Sequence, residues 1–351
     1  MNNLYFALVL GVLLFLGFLE SANKSLFHNE RDIVFSSSDS SIQLSGTVSV
    51  PAKTPPRAAA VILPVAGPSD RDGTLGPHKF YKSLAQSLGK NGIATLRFDT
   101  RGMGQSGGNI LDTNLDERAS DACKAMNALK MNLDLAEVNV GFIGISEGGG
   151  IGMVAASKCN SVDFVVLLST PIRKGKEVVI DQMERMIDQS PLPEKQKTDL
   201  AKELIKFLDL VSVANPHIHR EEIHKILSGP YGNFILPPYH FIPTTIERKV
   251  DFVLSPWYQS QLHYDIREIL SGTDYPLLSL YGNLDYVIDP HLNLNLLKEL
   301  RPDVNFEMKK GLNHLLQQAN TGSPAEYTSL PGAISEAVVS DIAVWLKKLD
   351  K

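Results

Sequence analysis

Short, mostly apolar runs recur along this chain at intervals that each hold one helix, and that rhythm restricts its fold more than any other feature. Residues 58–65, 93–98, 138–143 and 162–168 read as strands, the first a continuous apolar run suited to burial on both faces. Helical spacing fills the gaps at 80–88, 116–131 and 148–157. Strand and helix in alternation imply βαβ crossovers and a mostly parallel sheet. Ahead of the series, 33–35 is strand-like, and 42–50 places Ile42, Leu44, Gly46, Val48 and Val50 at period two.

The rhythm breaks after residue 168. The next buried strand is 277–281, leaving about a hundred residues where ordinary strand–helix connections take about 2–6. Residues 171–275 therefore read as a mostly helical cap insertion between the sixth and seventh strands of a core made from 30–170 and 276–351. Its amphipathic helices fall near 176–189, 194–213 and 220–227. A stretch rich in proline and aromatics follows, with Pro230, Tyr231, Phe234, Pro237, Pro238, Tyr239, Phe241 and Pro243. A helix from Leu292, a strand over 304–308 and a last helix over 334–349 complete the expected α/β fold.

Composition removes whole classes. Of the 351 residues, 43% are apolar and 21% charged, which is globular and not disordered. A balance of 34 basic to 39 acidic side chains, with no basic block, argues against nucleic acid as a partner. Two cysteines cannot build a disulfide scaffold, and no His/Cys cluster suggests a metal. Cys123 and Cys159 fall in separate predicted helices and are expected to be free, buried thiols. Residues 4–19 are unbroken apolar and glycine sequence, fit for a signal peptide and slightly short of the ~20 residues of a relaxed membrane span. No Lys or Arg precedes this run, and Glu20 spoils a small-x-small cleavage site. An export signal within 1–22, an uncleaved membrane anchor, and a buried helix of the fold all remain open.

The chemistry centres on Gly144-Ile145-Ser146-Glu147-Gly148, a G-x-S-x-G pattern between a predicted strand and a predicted helix. A strand that turns into a helix this abruptly puts the serine in a strained conformation and leaves no room for flanking side chains. Gly104-Gln105-Ser106-Gly107-Gly108 matches the same pattern, but several residues separate it from its strand and no helix follows. Context therefore selects Ser146. The overlapping G-x-G-x-x-G at Gly102 to Gly107 also lacks its helix, so no nicotinamide or flavin cofactor is expected.

A serine needs a base, and the base an orienting carboxylate, here on loops after late strands in the order Ser, Asp, His. Asp285 follows the strand 277–281, and His314 follows 304–308. Asp289 is the rival acid, but Pro290 beside it looks like a helix start. The backbone N–H of Glu147 and that of Ala66, in the loop after the third strand, are the expected oxyanion donors. Asp70, Arg71 and Asp72 read as a salt-bridged clamp in that loop.

At this point the chain resembles the α/β-hydrolase superfamily, and within it a bacterial carboxylesterase branch of the EstD type, often labelled prolyl-oligopeptidase-like. The blocks that carry the likeness are Gly67-Pro68-Ser69-Asp70-Arg71-Asp72, Arg97-Phe98-Asp99-Thr100-Arg101-Gly102, the Ser146 pentapeptide, Ser255-Pro256-Trp257, Gly282-Asn283-Leu284-Asp285 and Asn313-His314-Leu315-Leu316-Gln317. The resemblance implies Ser146 as nucleophile, Asp285 as acid, His314 as base, and hydrolysis of short acyl esters without a cofactor. Two positions depart from the pattern: Pro64-Val65 stands where His-Gly is common, and Ile145 where His often precedes the serine. A serine peptidase, a thioesterase and a catalytically silent binding module are the competing expectations.

Overall fold

The apolar runs form strands because nearly every residue in them has somewhere to be buried. The computed structural model describes residues 28–133, 135, 138–160, 162–236 and 242–349. The apolar segment 4–19 and the Pro/aromatic residues 237–241 lie outside them. Eight strands make the main sheet: β1 (His28–Ser36), β2 (Gln43–Pro51), β3 (Ala58–Leu63), β4 (Ile93–Phe98), β5 (Asn139–Ile145), β6 (Phe164–Leu168), β7 (Leu277–Gly282) and β8 (Asn305–Lys309). Their spatial order is β1-β2-β4-β3-β5-β6-β7-β8. β2 runs antiparallel to β1 and β4, and every pairing from β4 to β8 is parallel.

Each central strand divides its residues between two cores, as the period of two requires. On one face Ala59, Val61, Leu63, Val140, Phe142, Val165 and Leu167 pack against α2 (Leu115–Asn132) and α3 (Glu147–Lys158). On the other, Ala58, Ala60, Ile62, Ile143, Ile145, Val166 and Leu168 meet α1 (Phe80–Lys90) and a C-terminal helix, Glu336–Lys347. α2 begins with a complete capping box, Asn114 accepting from the Glu117 N–H and Glu117 from the Asn114 N–H.

The order also locates a site. From β3 the chain crosses to β4 on one side, while β5 lies on the other. Loops leaving adjacent β3 and β5 therefore diverge and open a crevice at their carboxyl ends. Ala66 follows β3 and Ser146 follows β5, so both stand at that crevice.

Between β6 and β7 the chain forms α4 (Gly175–Gln189), α5 (Glu194–Val211), α6 (Arg220–Ser228), α7 (Gly232–Ile235), α8 (Ile246–Leu254), α9 (Pro256–Leu262) and α10 (Arg267–Gly272). This is more helix than the spacing predicts: α7, α9 and α10, of seven residues or fewer, are too short for periodicity to register, and the nine-residue α8 is a further helix beyond the three expected. The insertion has an apolar cluster largely of its own, including Leu200, Leu204, Phe207, Leu208, Ile223, Phe252 and Trp257. The core resumes with β7, α11 (Pro290–Leu300), β8 and finally α12, the helix Glu336–Lys347.

One expectation fails. Cys123 and Cys159 form a disulfide, with Cα atoms 5.6 Å apart. Cys123 lies on α2 and Cys159 caps the carboxyl end of α3, and these helices pack side by side against one sheet face. Assigning them to separate helices said nothing about which helices would be neighbours.

Candidate active site

Three strand ends build the site. Ser146 sits between β5 and α3 with φ 54° and ψ −122°, its N–H donating to the Leu168 carbonyl at 2.8 Å. A non-glycine residue in that region is strained and persists only where its surroundings over-determine it. The motif glycines supply the constraint. A Cβ on Gly144 would lie 2.3 Å from the Gly148 backbone, and one on Gly148 would lie 2.4 Å from the Leu63 carbonyl oxygen. The turn therefore closes only with glycine at both places.

Asp285 and His314 meet at the far side of the same rim. Asp285 is buried, and its Oδ1 accepts from the backbone N–H groups of Val287 and Ile288 at 2.9 and 3.0 Å. That turns Oδ2 toward His314, whose Nδ1 lies 2.8 Å away. The rival Asp289 caps α11, accepting from His291 and Leu292, and so is committed elsewhere. The His314 loop is fixed from within: Asn313 accepts from the Leu315 and Gln317 N–H groups at 3.0 Å each. Its neighbours Leu315 and Leu316 pack in the same cluster as Ile145, the residue before Ser146. With Nδ1 held by Asp285, Nε2 is the nitrogen left to act. No hydrogen bond joins the Ser146 hydroxyl to His314 among the described residues.

Ser146, Glu147 and Ala66 line one cavity of about 320 Å³. Its remaining walls come mostly from the insertion: Val178, Val179, Met183 and Met186 of α4, Phe252 of α8, and Trp257 and Tyr258 around the start of α9. Glu147 is the first residue of α3, so its N–H has no intrahelical acceptor. In the loop after β3, Val65 gives its N–H to the Tyr81 hydroxyl at 3.1 Å, which leaves the next N–H, that of Ala66, for the cavity. Burial pushes the Tyr81 hydroxyl up to about 12, so it keeps its proton.

The Glu147 side chain pairs with Arg118 of α2 at 2.5 Å, both groups buried. Gln261 of α9 donates to the same carboxylate oxygen. The second serine motif is structural: the buried Ser106 hydroxyl donates to the Asp99 carbonyl and accepts the Ser45 N–H, both at 2.9 Å. Asp99 in turn holds Arg71 at 2.6 Å, and Asp72 bonds Lys79 at 2.9 Å, as a clamped loop requires.

Sequence reasoning does not find Arg118, which reads as part of a solvated first turn beside Asp116 and Glu117. Nor does it find Tyr81, hidden in an amphipathic pattern, or Ser169. Ser169 directly follows β6, wholly buried with φ 49°, beside the strand that carries Ser146.

A family of the alpha/beta hydrolase fold matches this chain over residues 60–319, and the chain belongs to it. Among characterised relatives, esterase EstD of Thermotoga maritima is 28% identical over 315 residues, covering 87% of this chain and 66% of that protein. The match thus spans just under two thirds of the relative's length. Among solved structures, an esterase of Pyrococcus furiosus superposes with a TM-score of 0.57 at 16% identity, covering 94% of each chain. A thermophilic esterase of Thermogutta terrifontis gives 0.50 at 17% identity, over 92% of this chain and all of that one. At such identities the two structures speak for the fold.

Proposed function

We propose that this chain is a serine esterase that hydrolyses carboxylic esters of short to medium acyl chains through Ser146, His314 and Asp285. The observation that carries the reading is the buried Asp285–His314 pair on the same sheet rim as a serine held in a strained turn. The esterase named among its relatives supports the same activity.

In the first step His314 Nε2 takes the Ser146 proton as Oγ attacks the ester carbonyl carbon. The carbonyl electrons move to oxygen, which the N–H groups of Glu147 and Ala66 receive. Each such donor is typically worth about 3 kcal/mol of barrier. Collapse expels the alcohol, protonated by His314, and leaves an acyl-enzyme. A water activated by the same nitrogen then releases the acid. The contact between Ser146 and His314 tightens when substrate fills the cavity, since catalytic hydrogen bonds are often long in empty sites. Asp285 keeps Nε2 facing the serine by holding the Nδ1 proton. No cofactor enters this chemistry.

The insertion acts as a cap whose apolar walls receive the acyl chain. Residues 1–22 serve as an export signal or membrane anchor through the apolar run 4–19, and the Cys123–Cys159 bridge fits an oxidising compartment. The test is turnover of p-nitrophenyl esters by the wild type and by Ser146→Ala. The variant should lose at least ~10³-fold in kcat. Equal turnover in the two proteins refutes the assignment, and preference for acyl thioesters or peptides replaces the substrate class.

A further inference from the structure

The buried Arg118–Glu147 ion pair beside the Ser146 turn reaches in two directions. Glu147 presents its backbone N–H to the cavity and its carboxylate to Arg118. Each nitrogen of the Arg118 guanidinium has a partner: Nε donates to the Asn114 carbonyl at 3.2 Å, Nη1 to Glu147 at 2.5 Å, and Nη2 to the Ser260 hydroxyl at 2.8 Å. Ser260 belongs to α9, and its hydroxyl donates to the Trp257 carbonyl at 2.7 Å. Trp257 and Tyr258, one turn earlier, are cavity walls. Helix α2, the first residue of α3 and one turn of the insertion thus converge on a single guanidinium.

A buried ion pair adds little stability over well-packed apolar residues of the same volume, because desolvation offsets its attraction. What it imposes is geometry, since a planar fork accepts few arrangements of its partners. Here the partners are the oxyanion-donor residue and the turn that bears the aromatic wall. We propose that Arg118 is a positioning residue for substrate selection, fixing the Trp257–Tyr258 wall at one distance from Ser146 so that acyl chains are discriminated by length. The proposal rests on the esterase reading above. Arg118 touches no reacting atom and acts through Ser260 and Glu147.

The experiment compares p-nitrophenyl acetate with p-nitrophenyl octanoate in wild type, Ser260→Ala, Ser260→Thr and Arg118→Lys, with thermal midpoints measured on each. Ser260→Ala removes the link to the wall while Glu147 stays paired. The octanoate-to-acetate ratio of kcat/KM should fall about tenfold, the scale of one hydrogen bond to a charged group, and the loss should lie in the KM for octanoate. Acetate turnover and the thermal midpoint should hold, and Ser260→Thr, which keeps the hydroxyl, should restore the ratio. Arg118→Lys keeps the charge beside Glu147 but cannot reach Ser260 as well, so it should reproduce the loss even where Ser260→Ala does not fold. A ratio unchanged within twofold, or both esters declining together with the midpoint, overturns the proposal and leaves the esterase reading standing. A wild type that turns over neither ester and leaves Ser146 unlabelled by a fluorophosphonate overturns both.

Discussion

Replacing Val179 with tryptophan should shorten the acyl chains this protein accepts. Val179 projects from α4 into the cavity that also holds Ser146. The cavity measures about 320 Å³. At ~30 Å³ per group, the share of one water in the liquid, it receives roughly ten methylene-sized groups at most. Imperfect filling lowers that to about eight carbons. Each buried methylene contributes about 0.8 kcal/mol, or about fourfold in kcat/KM. The wild-type profile should therefore climb about fourfold per carbon to roughly C8 and then fall. Tryptophan in place of valine fills the room of roughly three methylenes, so the maximum should move to about C5. The assay is kcat/KM over p-nitrophenyl esters from C2 to C12. A maximum that stays where it was, or an equal loss at every length, refutes the placement of the acyl chain against α4.

Asp285→Asn should lower kcat by about 10³–10⁴-fold while leaving the thermal midpoint close to wild type. The amide oxygen still accepts from Val287 and Ile288 but no longer holds the histidine in its working tautomer, and circular dichroism with steady-state kinetics checks both halves. Removing the Cys123–Cys159 bridge opens a link across 36 residues, for which chain entropy gives about 4 kcal/mol. The double Cys→Ser variant should melt about 5 °C lower, and addition of a reductant should not shift it further. Burial raises Tyr81 from 10.0 to about 12, so the folded state favours the neutral phenol. Its contribution, about 3 kcal/mol, is complete below pH ~10 and is lost as pH rises through about 12. Urea unfolding at graded alkaline pH should show that loss, and Tyr81→Phe should reduce its slope.

Local signals made the site legible wherever chemistry depends on chain neighbours. The Gly144 to Gly148 pentapeptide announced itself because its glycines answer contacts within the turn and with the Leu63 backbone. The preference for Asp285 over Asp289 rested on Pro290, a helix-start residue, and α11 does begin there with Asp289 as its cap. Strand order placed His314 because topology restricts which loops share a rim. Contacts between elements far apart in sequence left no such trace. Arg118 and Ser260 are separated by 142 positions, and nothing in either segment points to the other. The disulfide escaped for the same reason, since α2 and α3 become neighbours only once the sheet has formed. Helices α9 and α10 were missed because two turns or fewer hold too few apolar positions to define a face.

The central claim is that one alcohol among many is made nucleophilic by its place in the fold. Reacting the protein with a fluorophosphonate, digesting it and locating the adduct by mass spectrometry tests this directly. A single adduct on the peptide carrying Ser146, abolished in His314→Ala and absent from the peptide carrying Ser106, is the predicted result. An adduct on any other serine, or labelling that survives His314→Ala undiminished, contradicts the account.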